Sequence, residues 1–592
     1  MKSNVLSFVI LSAVFVAELS KTEAEFNTKF VSLVKNLNKA EKFDSIFIYK
    51  FAEYEFFNDF NDKLIRNISN SLRIPVILST EDTSFYLKGK FNENLLTIVQ
   101  FEEYDLFLQR LVEHLQHIRF CKIIFVLKNS ARNGWKQLEK LFDFCWKNKM
   151  INVLAIFQDF GTSSTYYIYN HFGNFNIEEL KWNENDLQIF PDRMRNLQGV
   201  KLPILFGAAE PGVIISENSK GNTLIGGFLG HLVSTFASKH NAKFDISNVN
   251  TSIFYNNIRK HVLDELIEIA GSQTMDSEVS IEWFSYPFAT FDWGIMLPVE
   301  PNIPVNKVYG NIIHWEACLI LILIFFLLSV LLSASGKASK SISTFKLNID
   351  CFRGMLGQSF PETPTASFST KINYSLIFLL GIMMVTSYDA FLQSFMTQPS
   401  REKVIKSFDD LQNSGLKILL TKDEIGTYLK LKPKFMKKYS NLFQVENKPM
   451  TKNKLRDTLN TKYAFTVARI TWMTYKNQQD FSNQHLFRWS EELCLFKNKL
   501  SAMFINENSI FKRILNLHIL ETQSSGLFDF WVKRTFYELL ADGKIQKSNI
   551  GFDLKLHQFK VNDLKWIWIV MGLMLMVATL CFVGEICIFK CL

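Results

Sequence analysis

At 592 residues the chain is too long for a single hydrophobic core, so we expect several domains. Its formal net charge of +9 is compatible with nucleic acid as a partner, but the secretory and membrane features below exclude that class of partner. The sequence contains no metal-ligand spacing, nucleophile elbow or phosphate-binding glycine loop. It therefore predicts neither an enzyme nor a bound metal ion or other cofactor.

Residues 1–24 are predicted to be a cleaved secretory signal peptide. Lys2 precedes an apolar stretch from Val5 to Ala17, and small and polar residues follow. A retained anchor is the alternative, but the stretch is short for a membrane span. A signal peptide would place the residues from 25 onward outside the cell.

Residues 25–195 alternate short apolar runs, such as 44–49 and 122–127, with longer helical patterns. This alternation is typical of an α/β domain with a largely parallel sheet. We therefore expect an extracellular N-terminal α/β domain over these residues.

Two kinds of covalent modification would follow from an extracellular location. Asn67 and Asn250 each begin an Asn-x-Ser/Thr sequon, so both are candidate glycosylation sites. Cys121 and Cys145 both lie in the N-terminal domain and are candidates for a disulfide bond.

Two further external segments, 200–311 and 398–563, have the same α/β texture. In the first, residues 202–207 are predicted to form a strand, and apolar residues from Leu229 to Phe236 recur at helical spacing. The two segments could pack as one two-lobed domain with a ligand cleft between the lobes. Two independent external domains are the alternative.

Three charge-free apolar runs are close to the roughly 18 to 20 residues that cross the hydrocarbon core of a bilayer. The runs are Ala317–Ala334, Ile372–Tyr388 and Trp566–Gly584. The predicted membrane helices are 312–334, 372–397 and 565–588, with the 335–371 segment and the 589–592 tail in the cytoplasm. Basic residues in the internal segment agree with the positive-inside bias. We therefore expect a multi-pass protein of the plasma membrane.

The stretch from Ser387 to Thr397 places an acid and two polar residues at four-residue spacing where the second apolar run ends. Asp389, Gln393 and Thr397 would share one face of a helix. An ionisable group near the end of a membrane helix is costly unless it faces water or a partner, which predicts a hydrated path through a helix bundle. An ordinary helix end that reaches the lipid headgroups is the alternative.

From about residue 200 to residue 590, the order of parts and several motifs resemble the ionotropic glutamate receptors, and more closely the insect chemosensory ionotropic receptors. Residues 387–397 match the family's gate motif, Ser-Tyr-Thr-Ala-Asn-Leu-Ala-Ala-Phe-Leu-Thr, at six of eleven positions. Residues 284–288 resemble the Phe-Ser-x-Pro-Phe block of the first ligand-binding half. Residues 404–411 resemble the start of the second half, and 524–527 resemble its Glu-Ser-Gly-Leu element.

The resemblance implies an N-terminal α/β domain, a two-lobed ligand-binding domain similar to periplasmic binding proteins, three transmembrane helices and a re-entrant pore loop. That loop would lie within 335–371, where the residues alone favour a plain cytosolic loop. The implied pore and gate residues are Gln358, Ser387, Tyr388, Asp389, Ala390, Gln393, Phe395 and Thr397. A ring of carboxylates at Asp389 would favour cations over anions, and Gln393 would narrow the gate.

The ligand-anchoring positions depart from the family pattern. Counting along the motifs puts Glu278 where glutamate receptors carry the arginine for the ligand α-carboxylate, and Ala468 where they carry the acid for the ligand amine. Glutamate cannot replace a bidentate arginine clamp, so we expect no glutamate binding of the usual kind. The adjacent Arg469 either reverses the polarity of the site or is a solvated surface residue. The other cleft candidates are Ser285, Tyr286 and Thr421.

Together, the residues and the resemblance predict a tuning subunit of a chemosensory ligand-gated, non-selective cation channel. An external small molecule would close the cleft and open the pore. Co-receptor subunits would complete a heterotetramer in the dendrites of gustatory or olfactory neurons. The alternatives are a synaptic glutamate receptor subunit and a membrane-tethered binding protein that does not conduct. An anchor has no use for the acid at Asp389, whereas a pore does.

Overall fold

A computed structural model describes most of the chain. The described residues are 24–50, 58–80, 85–101, 105–128, 131–173, 175–186, 188–205, 210–217, 223–244, 268–270, 280–303, 315–335, 349–359, 367–397, 401–545 and 565–591. Predicted features at residues 1–23, Asn250 and Glu278 lie outside this set, as do 336–348 and 360–366 of the expected internal segment.

The chain divides into two compact units, and each is assembled from three separate segments. The first unit contains residues 1–295, 466–484 and 494–546, and the second contains 296–465, 485–493 and 547–592. The structure is that of a protein with mixed α/β sheets and three helices able to span a membrane.

A seven-stranded sheet organises residues 45–181. Its strands are β1 (Ser45–Lys50), β2 (Val76–Thr80), β3 (Leu95–Phe101), β4 (Lys122–Leu127), β5 (Val153–Phe157), β6 (Thr165–Asn170) and β7 (Asn176–Lys181). Their order is β2-β1-β3-β4-β5-β6-β7. The first five strands pair in parallel, and β6 and β7 add antiparallel pairs at one edge. The prediction of a largely parallel sheet is therefore confirmed.

Helices pack on both faces of this sheet. They are α1 (24–41), α2 (Asn58–Leu72), α3 (Asp105–His114), α4 (Ala131–Lys147) and α5 (Phe160–Ser163). Because successive strand residues point to opposite faces, Ile46 and Ile48 enter one core while Phe47 and Tyr49 enter the other. This explains the nearly continuous apolar runs in the sequence, since the sheet is buried on both sides.

Cys121 and Cys145 both lie in the core that contains Phe47. The structure has both as free, fully buried thiols, so the predicted disulfide is not formed. Burial raises the pKa of Cys121 to about 12, and the Thr97 hydroxyl contacts its sulfur at 3.5 Å. Burial likewise raises the pKa of Cys145. Both residues act as small apolar side chains in the core.

Short strands and one long helix follow. They are β8 (Lys201–Leu202), β9 (Ile204–Leu205), β10 (Ile214–Glu217), β11 (Thr223–Gly226), α6 (Gly227–Lys239), β12 (Lys243–Phe244), β13 (Ile269–Ala270) and β14 (Ala289–Pro298). The helical spacing of Leu229, Leu232, Val233 and Phe236 is confirmed, because all four are buried on one face of α6.

Three helices occupy the region of the first two predicted spans. They are α7 (Trp315–Ser335), the short α8 (Ile349–Met355) and α9 (Phe368–Thr397). Windows of α7 and α9, Trp315–Leu332 and Phe368–Phe395, are long and apolar enough to cross a bilayer. The two helices match the predicted membrane segments to within a few residues.

The chain after α9 forms a second α/β region. Its elements are α10 (Phe408–Asn413), β15 (Lys417–Thr421), α11 (Lys422–Leu431), α12 (Pro433–Lys438), β16 (Phe443–Glu446), α13 (Pro449–Asp457), β17 (Tyr463–Ala468), α14 (Arg469–Ser482) and β18 (Phe487–Ser501). Together with β14 the strands form a five-stranded sheet in the order β16-β15-β17-β14-β18. In this sheet, β15 pairs in parallel with β16 and β17.

The last elements are β19 (Phe504–Ile505), α15 (Lys512–Ser524), α16 (Leu527–Ala541) and α17 (Lys565–Cys591). The third candidate span, Ile567–Ile588, lies in α17, and none of that window is buried within the chain. The apolar surface of α17 is therefore available to lipid or to another protein chain.

Segments on the two sides of α7 and α9 fold together in the first unit. Strand β13 pairs with β9 and with β19, although more than 230 residues separate β13 from β19. The same core contains Leu229 of α6, Leu515 of α15 and Trp531 of α16. Residues from both segments therefore contribute to one core of the first unit.

Candidate functional site

The predicted gate stretch lies at the end of α9. Residues Ser387–Thr397 continue the helix without a break, so Asp389 and Gln393 share one face, and both are exposed within the chain. Asp389 is 21 residues from the start of α9, which places it about 32 Å along the helix axis. This distance is close to the roughly 30 Å thickness of bilayer hydrocarbon.

The short helix α8 packs between the two neighbouring candidate spans. Cys351 and Met355 of α8 are buried against Leu328 and Leu332 of α7 and against Ile377 of α9. Leu332 lies three residues before the end of α7, and Ile377 lies nine residues after the start of α9. Helix α8 therefore packs beside the last turns of α7 and the first third of α9.

A close approach of two glycines fixes the position of α8 on α9. A Cβ atom at Gly381 of α9 would lie 2.2 Å from the Gly354 carbonyl oxygen, so no larger residue fits there without a shift of the backbone. Gly357 ends α8 in a left-handed conformation, and its Cα hydrogens face Val385 of α9. The exposed Gln358 follows this turn, and Val385 lies four residues, about one helical turn, before Asp389.

A buried ion pair joins the chain before α7 to the chain after α9. Glu300 follows β14, and Arg488 lies in β18. The Arg488 Nη2 donates to Glu300 Oε1 at 2.5 Å, and Nε donates to both carboxylate oxygens at 3.1 Å. Ile405 completes the arrangement, because its N–H donates to Glu300 Oε1 at 3.0 Å and its carbonyl accepts from Arg488 Nη2 at 2.9 Å. We call these three residues the linker clamp.

Backbone contacts between the same two chain segments lie next to the linker clamp. Asn302 and Arg401 form an antiparallel bridge, and the Glu402 N–H donates to the Pro301 carbonyl at 3.0 Å. Residue 302 lies shortly before α7 and residue 401 shortly after α9. The two linkers are therefore held side by side at these residues.

Burial by itself would raise the pKa of Glu300, but the hydrogen bonds from Arg488 and Ile405 outweigh it and hold the pKa below its ordinary value. The carboxylate therefore stays charged wherever ordinary glutamates do. A buried carboxylate is tolerated only when paired and hydrogen-bonded in this way.

Ser285 and Tyr286 do not form an obvious ligand anchor. Ser285 is buried, and its hydroxyl donates to the Tyr286 carbonyl and accepts from the Met503 N–H. The hydroxyl therefore satisfies backbone groups of its own unit. The Tyr286 ring is exposed, while its N–H donates to the Asn516 side chain.

Arg469 begins α14 directly after the buried Ala468 at the end of β17. Its guanidinium lies 4.0 Å from the Asp292 carboxylate of β14, and about half of its side chain is exposed. Asp292 also accepts a hydrogen bond from the Asn498 N–H. The positive charge at Arg469 is thus balanced by Asp292, a partner that the sequence did not indicate.

Thr421 is used to begin a helix. Its hydroxyl accepts from the Glu424 N–H, and Glu424 accepts from the Thr421 N–H, which is a complete capping box. The Glu424 carboxylate also contacts the buried Lys452 Nζ at 2.5 and 2.6 Å, and burial lowers the pKa of Lys452 against the opposing effect of Glu424. The chain's own carboxylate therefore occupies the start of α11.

The structure groups the predicted residues unevenly. The gate residues all lie on α9, and Gln358 follows the turn that packs on it. The cleft candidates are divided between the two units: Ser285, Tyr286, Ala468 and Arg469 belong to the first unit, whereas Thr421 belongs to the second.

Asn67 is exposed on α2, where a glycan could be attached. The linker clamp was missed, because nothing in the local sequence relates Glu300 to a residue 188 positions away.

Comparison of the sequence with protein-family models and with curated proteins gave no match to either.

Proposed function

We propose that the chain is a subunit of a ligand-gated cation channel of the chemosensory ionotropic receptor type, which an external small molecule opens. The observation that carries the proposal is the linker clamp, which holds the linker entering α7 against the linker leaving α9. In this proposal, closure of the ligand-binding halves moves both linkers together and pulls on α9, where the gate residues lie.

The shared core of the first unit supports the proposed membrane topology. Because the segments before α7 and after α9 fold together, a bilayer cannot separate them, and the chain between them crosses an even number of times. Helices α7 and α9 supply two crossings, whereas α8, with seven residues, is only about 10 Å long. Helix α8 then acts as a re-entrant element, and α17 takes the C-terminal residues to the opposite side.

The packing of α8 on α9 supports a pore next to these helices. Irregular backbone at membrane depth needs protein or pore water as its surroundings, and the turn after α8 exposes Gln358 close to the Asp389 end of α9. In a tetramer, four such helices would surround one axis, with Asp389 of this subunit contributing negative charge that attracts cations.

The cue is proposed to be a molecule other than glutamate. Ala468 leaves no carboxylate for a ligand amine, Arg469 is balanced by Asp292, and the start of α11 holds its own Glu424. These three features disfavour a synaptic glutamate receptor subunit, since that function needs a site for both charges of an amino acid. Co-receptor subunits would complete the channel.

Substitution of Asp389 tests the proposal. The subunit is expressed with candidate co-receptors, and whole-cell currents are recorded against a panel of acids, amines, amino acids and sugars. Removing the charge in Asp389→Asn should lower the permeability of cations relative to chloride, which moves the reversal potential under a salt gradient toward that of chloride. The conservative Asp389→Glu should keep cation preference.

Two outcomes would contradict the proposal. An Asp389→Asn channel with unchanged permeability and block would remove this carboxylate from the pore. A subunit that reaches the cell surface, binds a ligand and never conducts with any co-receptor would instead be a membrane-tethered binding protein.

A further inference from the structure

A cavity of about 420 Å³ lies within the first unit, at the edge of the seven-stranded sheet where its parallel strands begin. Leu95 and Lys122, the first residues of β3 and β4, line it on one side. The chain from Asn508 to Asn516, around the start of α15, lines the other side. Sheets of this kind usually bind ligands at the opposite, carboxyl edge. Here the α15 region supplies the second wall of the cavity.

Direct contacts hold the two walls together. The His117 N–H donates to the Asn508 side chain at 2.6 Å, and Lys149 Nζ donates to the Glu507 carbonyl at 3.3 Å. Glu282 bridges the walls, because its carboxylate contacts Lys88 at 2.7 Å and Lys512 at 3.1 Å. The cavity is thus a built feature with a defined shape, and its volume is in the range that holds small molecules.

The charged side chains around the cavity are mostly basic. Among the described residues six Lys or Arg side chains line it, against three carboxylates: Lys88, Arg119, Lys122, Lys149, Lys512 and Arg513, with Glu41, Glu93 and Glu282. Lys122 pairs with Glu41 at 3.6 Å, and Lys149 pairs with Glu268 at 3.4 Å. Lys88 contacts Glu93 at 3.5 Å in addition to Glu282, and Glu282 also contacts Lys512. The excess of positive charge therefore comes from Arg119 and Arg513, within a partly enclosed space where electrostatic attraction is stronger than in open water.

Arg513 is the cation best placed to meet a ligand. Its guanidinium lies over the Phe120 ring, 5.8 Å from the ring centre, and it forms no ion pair with any carboxylate of the described residues. Stacking on an aromatic ring holds the guanidinium plane while leaving its N–H groups available. Those donors suit the two oxygens of a carboxylate or phosphate.

We propose that this cavity binds a small molecule with at least two negative charges, a polycarboxylate or a phosphate compound, through Arg513 and Lys122. The ligand bridges the sheet and the α15 region, so its binding tightens the contact between these two parts of the first unit. Among the described residues, none of the predicted cleft or gate residues lines the cavity, although Asn516 of its lining accepts a hydrogen bond from the Tyr286 N–H. The binding test does not depend on channel activity.

The test uses the full-length protein in nanodiscs of neutral lipid. Citrate and inorganic pyrophosphate are titrated at constant ionic strength by isothermal titration calorimetry, with acetate as the singly charged control. We expect saturable binding of citrate, pyrophosphate or both, and none of acetate. Binding of one alone assigns the site to carboxylates or to phosphates. Arg513→Gln should weaken binding at least about tenfold, because it removes a charged hydrogen-bond donor.

Arg195→Gln is the matched control, since Arg195 is exposed in the same unit and does not line the cavity. It should leave binding unchanged. Lys122→Gln, on the opposite wall, should weaken binding in the same direction, and it carries the test if Arg513→Gln unfolds in a thermal scan. The proposal is overturned by no saturable binding of either anion up to about 10 mM, or by equal losses in Arg195→Gln and Arg513→Gln.

Discussion

Two carboxylate–arginine pairs involve strand β14 and its end, and their surroundings differ. Asp292, within β14, lies 4.0 Å from Arg469, and the two side chains are 28% and 51% exposed. Glu300, two residues beyond β14, forms bidentate hydrogen bonds with Arg488, and the two side chains are 6% and 25% exposed. The same two chemical groups therefore make a loose surface pair in one place and a buried clamp in the other.

The difference decides what each pair can do. Solvent screens the exposed pair, so it contributes little to stability and leaves both groups free to exchange partners. The buried pair gains little net energy from its own attraction, yet removing one partner leaves an unpaired charge in a dry environment. A clamp of this kind gives the linkers a single arrangement, which suits a part that transmits movement.

The largest expected effect comes from Arg488→Gln. The substitution leaves the Glu300 carboxylate buried without its cation and should destabilise the protein by about 3 to 5 kcal/mol. Thermal unfolding of the purified full-length protein measures the loss, and the second unit should be the part that becomes sensitive to protease.

The double variant Glu300→Gln with Arg488→Met separates charge from packing. With both charges removed, most of the lost stability should return, because no unpaired charge remains. If the double variant is as unstable as Arg488→Gln, the linker clamp stabilises the protein through the packing of its side chains and not through the pairing of their charges.

Acidification should weaken the same pair by a smaller amount. The pKa of Glu300 is held below its ordinary value, so its contribution is fully present above the ordinary glutamate pKa of about 4.3 and is lost as pH falls through the folded-state pKa. Stability curves of the native protein and of Glu300→Gln should therefore converge as pH drops below about 4. If the difference in unfolding free energy between the two proteins stayed constant at all pH values, protonation of Glu300 would not be what weakens the linker clamp.

The smallest effect is expected for Arg469→Gln. Because its pair with Asp292 is exposed and 4.0 Å long, stability should change by no more than about 0.5 kcal/mol, measured by the same thermal unfolding. A loss of stability comparable to that of Arg488→Gln would contradict the conclusion that the Arg469–Asp292 pair contributes less than the Arg488–Glu300 pair. A change in ligand response without a change in stability would instead assign Arg469 to the cue-binding site.

Elements with a strong periodic pattern could be predicted from the sequence. The parallel strands β1 and β4, the buried face of α6 and the length of α9 all follow from local spacing of apolar residues. The shared helix face of Asp389 and Gln393 follows in the same way. Residue roles that rest on long-range pairing could not be predicted, and Arg469 with Asp292 is one example.

The state of the two cysteines of the N-terminal domain could not be predicted from the local sequence. Cys121 and Cys145 were candidates for a disulfide bond because both lie in a domain that was expected outside the cell. Their thiols are instead separate, buried members of one apolar core, and only the packing of α4 on the sheet determines that. Thr421 and Ser285 likewise looked available for a ligand, but a capping box and a backbone contact use their hydroxyl groups.

By itself, the sequence determined the local and one-dimensional properties of this protein: which segments are strands, which helices are long and apolar enough to span a membrane, and where an acid lies on α9. Those properties depend on neighbours within a few residues. Only the tertiary structure decided that segments on either side of α7 and α9 share a core, that α8 packs on α9 at Gly381, and that Glu300 meets Arg488. Such contacts join residues far apart in the chain, and their energy comes from burial and geometry, which no local pattern encodes.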